Sequence, residues 1–131
     1  MTNRELIEKA KLAMQNAYTP YSHFNVGAAL LTESGKLYLG CNIENASYGA
    51  TNCAERTAIF KAISEGERKF SKIAIVSSAN DLTYPCGICR QVLSEHMPNG
   101  ILLFEDAAGN IKEYTMQEIL PFAFTKEDLN K

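Results

Sequence analysis

The sequence predicts an α/β fold: a three-layer α/β/α arrangement around a five-stranded mixed sheet. Three observations carry this. The chain opens with an amphipathic helical pattern, five short runs have strand character, and strands and helices alternate through the middle of the chain. Residues 3–17 place Leu6, Ile7, Ala10, Ala13, Met14 and Ala17 at helical spacing, and Pro20 ends that helix. Phe24 to Thr32 and Leu37 to Cys41 read as two strands joined by the turn Glu33-Ser34-Gly35-Lys36. A polar, Asn-rich loop follows, from Asn42 to Asn52.

The second helix starts near Cys53, with Ala54, Ala58, Ile59, Ala62 and Ile63 in period and Gly66 beyond its end. Ile73-Ala74-Ile75-Val76 is continuously apolar, as in a strand covered on both faces. Cys86 opens a third helix that runs to about His96. Ile101 to Phe104 and Ile111 to Tyr114 form two more strands around Ala107-Ala108-Gly109-Asn110, and Met116 to Leu120 is a short helix. With no repeat, low-complexity tract or linker, the expectation is a single domain, residues 1–131.

Composition narrows the function. The formal net charge is −2 and Lys and Arg are dispersed among Asp and Glu, so there is no basic stripe for a nucleic-acid backbone. No run approaches the ~18 consecutive apolar residues of a membrane helix, and the charged, helical start does not resemble a signal peptide. The expectation is a cytoplasmic protein with neither membrane nor nucleic-acid partner. Four cysteines (Cys41, Cys53, Cys86 and Cys89) are too few and too uneven for a disulfide scaffold, and in a reducing compartment they point to metal or catalysis.

Two segments concentrate the chemistry: Thr51-Asn52-Cys53-Ala54-Glu55-Arg56 and Pro85-Cys86-Gly87-Ile88-Cys89. Cys86 and Cys89 lie three apart on a helix, so their sulfurs share one face. Alone, such a pair is equally a redox motif or half of a zinc knuckle. Cys53 adds a third thiolate from another helix start, and three ligands leave one tetrahedral position open, the mark of a catalytic rather than a structural zinc site. Glu55 lies two residues on, with the core position Ile59 four further, so it faces inward beside the metal; the alternative is a capping box from Asn52 to Glu55. Arg56 is either a donor to thiolate sulfur or a solvated residue. Cys41 ends a strand without a partner motif and reads as structural, and His23 and His96 stand at no useful spacing.

These residues match a family. Cys53-Ala54-Glu55 with Pro85-Cys86-Gly87-Ile88-Cys89 resembles the zinc nucleobase deaminase signature in its all-cysteine form. Tyr21 to Leu30, Asn42 to Tyr48, and Cys89-Arg90-Gln91-Val92 resemble the small, homotetrameric cytidine deaminases, and the resemblance runs from the first helix to the Pro121 region. It implies one zinc per chain on Cys53, Cys86 and Cys89, with Glu55 shuttling protons. It further implies that Asn42 and Glu44 hold the ribose hydroxyls, that Phe24 packs on the pyrimidine, and that the Ala54 backbone contacts the base. Arg56 would tune the thiolates, while Tyr48 and Phe124 would reach into a site of a neighbouring subunit. The implied reaction is hydrolysis of cytidine and deoxycytidine to the uracil nucleosides in pyrimidine salvage. The family pattern carries Gly where this chain has Phe122. Three rivals stand beside this reading: a deaminase of a cytosine-bearing nucleoside antibiotic, a base-flipping editing deaminase, and a structural zinc module with Cys41 as fourth ligand.

Overall fold

The computed structural model describes residues 1–131. Helices α1 (Asn3–Met14), α2 (Ala54–Ser64), α3 (Gly87–His96) and α4 (Met116–Ile119) accompany strands β1 (Val26–Thr32), β2 (Leu37–Cys41), β3 (Phe70–Ser77), β4 (Ile101–Glu105) and β5 (Ile111–Thr115). The five strands form one sheet in the order β2-β1-β3-β4-β5. All neighbours are antiparallel except β3 and β4, which are parallel, so the sheet is mixed as expected.

Alternation along β3 creates the layers. Ala74 and Val76 face α1 together with Ala29 and Leu103, and Leu6, Ile7 and Ala10 of α1 close that layer. Ile73 and Ile75 face the other way with Leu30, Leu102 and Phe104, where Ala58, Ile59, Leu93 and Met116 of α2, α3 and α4 cover them. Each fully buried Leu or Ile contributes about 1.5–3 kcal/mol. Thr2 and Glu5 close a reciprocal capping box at the start of α1, and Thr115 and Glu118 do the same for α4.

Helix α1 stops at Met14 rather than running to Ala17. Gln15, Asn16 and Ala17 each donate to the carbonyl three residues back, which tightens the chain into turns before Tyr18 departs toward Asn42. The first strand begins at Val26 rather than Phe24, because the Phe24 carbonyl is taken by the Asn42 side chain.

The topology gathers the chemistry at one end of the sheet. Gly27 pairs with Cys41 and Val26 with Ser77, so the start of β1 and the ends of β2 and β3 lie together. α2 follows β2, and α3 is the crossover between the parallel strands β3 and β4, so both helices begin at this end. Two glycines permit the close layers. A Cβ at Gly27 would strike the α1 backbone at Ala10 and Met14, and one at Gly40 would strike the α2 backbone at Ala54 and Ala58. Gly40 therefore sets how near the first turn of α2 sits to β2.

The tail keeps a glycine-type bend without a glycine. Phe122 has φ +56°, in the left-handed region, and its ring is fully exposed. That conformation costs a side-chain-bearing residue roughly 1–2 kcal/mol, partly offset because glycine loses more freedom on folding. Phe122→Gly is therefore expected to stabilise the protein by about 0.5 kcal/mol in urea unfolding. A loss above about 1 kcal/mol would mean that the ring makes contacts beyond those in this chain.

Candidate active site and metal centre

Cys53 and Cys86 are the N-cap residues of α2 and α3, and Cys89 lies in the first turn of α3. The ligand atoms of Cys53, Cys86 and Cys89 all lie within 4.8 Å of one another. The Cys53 and Cys86 sulfurs are 3.8 Å apart, and none of the four cysteines is disulfide-bonded. Tetrahedral zinc with Zn–S bonds of about 2.3 Å places sulfurs about 3.8 Å apart. The spacing and donor set therefore fit zinc. Cys41 is half-buried and outside the group.

The electrostatics point the same way. The Cys89 thiol and the Arg56 guanidinium hold the Cys53 thiol down to about 5 against the effect of burial. Cys89 is in turn pushed far up, first by its hydrogen bond with Cys53 and then by burial. One thiolate forms readily and a second beside it is opposed, a conflict that a divalent cation removes. Both helix N-termini direct their positive ends at the sulfurs. Arg56 Nη2 donates to Cys53 Sγ at 3.3 Å, and its buried Nε has no partner within the chain. Of the two readings of Arg56, the structure supports the donor.

Glu55 is buried, with 4% of its surface exposed. It does not cap α2: Cys53 occupies that position without a side-chain cap bond, and Asn52 Nδ2 donates to Thr57 Oγ1 instead. Desolvation pushes the Glu55 carboxyl up to about 7, opposed by its own backbone N–H, and the neighbouring Cys53 charge adds to the rise. A carboxyl balanced near neutrality can accept and return a proton at physiological pH. Ala54, the first residue of α2, has a backbone N–H without an intrahelical acceptor.

The other predicted residues gather around the adjoining loops. Isolated bridges join Tyr18 to Ile43 and Ile43 to Asn52, which ties the loop of Asn42 and Glu44 to the residue before Cys53. Asn42 Nδ2 donates to the Phe24 carbonyl at 2.8 Å and Oδ1 accepts from the Val26 N–H at 2.9 Å, so Asn42 also fixes Phe24. Glu44 accepts from the backbone N–H groups of Tyr21 and Ser22 and from the Ser22 hydroxyl, and that hydroxyl leads in holding its carboxyl below the usual range. Tyr48 packs edge-on against Tyr21 at 5.7 Å. Tyr21, Ser22, Glu44, Tyr48 and Thr51 line a cavity of ≈ 300 Å³. Neither this cavity nor a larger groove of ≈ 570 Å³ beside β2 is lined by any of the three sulfurs, so chemistry rather than volume locates the site.

Phe124 is not drawn into this cluster. Its ring is exposed, and Gln91 Nε2 of α3 holds its carbonyl at 2.7 Å. Ile88 is exposed, turned outward as a regular helix requires. Sequence reasoning passed over Ser22, Arg90 and Gln91 as working side chains. Arg90 Nε donates to the Pro85 carbonyl and Nη1 to the Ile119 carbonyl, both at 2.8 Å, which pins the peptide ahead of Cys86 to α4. The available signal was a long donor directly after a ligand cysteine.

A pH dependence follows from Glu55. Its pKa rises from 4.5 to about 7 on folding. Between these values the unfolded chain releases a proton that the folded chain keeps, so stability falls as pH rises through that window and levels off above it. At about 1.4 kcal/mol per unit, ionised Glu55 costs the metal-stripped fold about 3 kcal/mol. Metal-stripped Glu55→Gln should match the stripped parent in thermal stability near pH 4.5 and exceed it at pH 8. Parallel stability profiles for the two proteins would show that the carboxyl is not desolvated.

Comparison with known proteins agrees with this geometry. Residues 1–103 match the family described as "Cytidine and deoxycytidylate deaminase zinc-binding region". The chain is 51% identical to a cytidine deaminase of Halalkalibacterium halodurans over 131 residues, covering 99% of each chain. It is 49% identical to a cytidine deaminase of Sporosarcina psychrophila, over 99% of this chain and 96% of that one. The crystal structure of cytidine deaminase from Burkholderia pseudomallei superposes with a TM-score of 0.90 at 47% identity, covering 95% of this chain and all of that one. A convergent three-cysteine group, a buried glutamate at its edge and full-length likeness agree: the chain belongs to the zinc-binding cytidine and deoxycytidylate deaminase family.

Proposed function

We propose that this chain hydrolyses free cytidine and deoxycytidine to uridine and deoxyuridine with release of ammonia, as a step of pyrimidine salvage. The observation that carries the proposal is the buried Glu55 two residues from Cys53, beside three sulfurs that converge within 4.8 Å. Cys53, Cys86 and Cys89 would hold zinc, which would supply Lewis acidity that lowers the pKa of a water to about 7. Glu55 takes a proton from the attacking water and gives it to ring N3, which makes C4 electrophilic. After the water oxygen has added to C4, Glu55 carries the second proton to the amino nitrogen, which leaves as ammonia. Arg56 offsets part of the thiolate charge, and Cys53 is the sulfur it touches.

Phe24, 40% exposed, offers an aromatic face to the pyrimidine, and the free N–H of Ala54 offers a donor to the base. Glu44, with Asn42 beside it, accepts sugar hydroxyls. The cavity lining includes one carboxylate and no Lys or Arg, which favours an uncharged nucleoside over a 5′-phosphate. It also disfavours an editing enzyme, which needs cations for a strand. We further propose a single-domain cytoplasmic protein that works as a homotetramer, with Tyr48 and Phe124 completing sites on neighbouring copies. Their exposure in the chain, 75% and 58%, supports this.

The direct test is Glu55→Gln. It should retain about one zinc per chain by elemental analysis and lose roughly 10³-fold in kcat. Near-normal turnover at full zinc would remove Glu55 from the proton path.

A further inference from the structure

The geometry points to Ser22 as a positioning residue for sugar recognition: one hydroxyl couples the aromatic face offered to the base with the carboxylate offered to the sugar. Ser22 Oγ accepts from the Phe24 N–H at 3.0 Å and donates to Glu44 Oε2. Glu44 Oε1 accepts from the Tyr21 N–H at 3.0 Å and the Ser22 N–H at 3.2 Å. A carboxylate has about four lone-pair sites. Three are filled from a single turn, and the one that remains lies on Oε2, the oxygen oriented by Ser22.

The turn is built for this. His23 adopts φ +58°, and its N–H closes back on the Thr19 carbonyl at 3.0 Å, which brings the Ser22 hydroxyl and the Phe24 N–H together. The Phe24 carbonyl is held independently by Asn42 at 2.8 Å. Loss of the Ser22 hydroxyl therefore leaves Phe24 anchored on one side and frees Glu44 Oε2 to rotate. Ser22 lines the ≈ 300 Å³ cavity beside Glu44, so its effect falls on the sugar end of a bound nucleoside.

The inference rests on the reading of Glu44 as the acceptor of a sugar hydroxyl. Its test separates the two. Zinc-loaded Ser22→Ala, Ser22→Thr and Glu44→Ala are compared with the parent, using cytidine as substrate and 2′,3′-dideoxycytidine, which lacks both ring hydroxyls, as competitive inhibitor. Ser22→Ala should raise KM for cytidine about 10-fold, the scale of one hydrogen bond to a charged group. It should leave kcat within about 2-fold and leave the inhibition constant of the dideoxy compound unchanged, while Ser22→Thr restores KM. An unchanged cytidine KM, or equal weakening of both ligands, overturns the role of Ser22. If Glu44→Ala weakens cytidine selectively and Ser22→Ala does not, only the Ser22 inference fails. If Glu44→Ala weakens both ligands equally or neither, the sugar reading of Glu44 fails and the Ser22 inference falls with it.

Discussion

Three cysteine sulfurs converging within 4.8 Å set up a charge conflict that organises the rest of the site. A single thiolate there is stabilised, with Cys53 held near 5, but a second is resisted. Zinc resolves the conflict, and the protein shares the task through two helix N-termini and one guanidinium. Glu55 belongs to the same balance. Burial and thiolate charge lift its carboxyl toward neutrality, which ties its proton affinity to the centre it serves.

This convergence is expensive in chain entropy, because Cys53 and Cys86 are 33 residues apart. The sheet absorbs the cost. β3 and β4 run parallel and α3 crosses between them, so α3 starts where β3 ends. Gly40 lets α2 settle onto β2, and the bridges through Ile43 bind the Asn42–Glu44 loop to the peptide ahead of Cys53. On the far side Arg90 and Gln91 of α3 hold the carbonyls of Ile119 and Phe124. Metal helix and tail are thus mechanically joined.

Much of this was legible in the sequence. The sequence pattern located every strand and all four helices, and Ile73 to Val76 is continuously apolar because both sheet faces are covered, its alternate residues entering the two layers of the core. The three ligand cysteines were legible because their chemistry has few other uses at that spacing. Element ends were less so: α1 stops at Met14 because Tyr18 is drawn to Asn42, a contact across 24 residues that no local pattern encodes. For the same reason Ser22 was invisible, since its importance lies in Glu44, 22 residues away. The choice between a capping and a buried role for Glu55 is decided only by the fold, because both readings place an acid in the first helical turn.

The central claim is that the three-cysteine group makes this fold a zinc hydrolase of cytidine. The most direct measurement titrates zinc into metal-stripped protein while following the ultraviolet change as cytidine becomes uridine. Turnover should rise in proportion to zinc and level off at about one ion per chain. Full turnover in the stripped protein, or no uridine at saturating zinc, would contradict it.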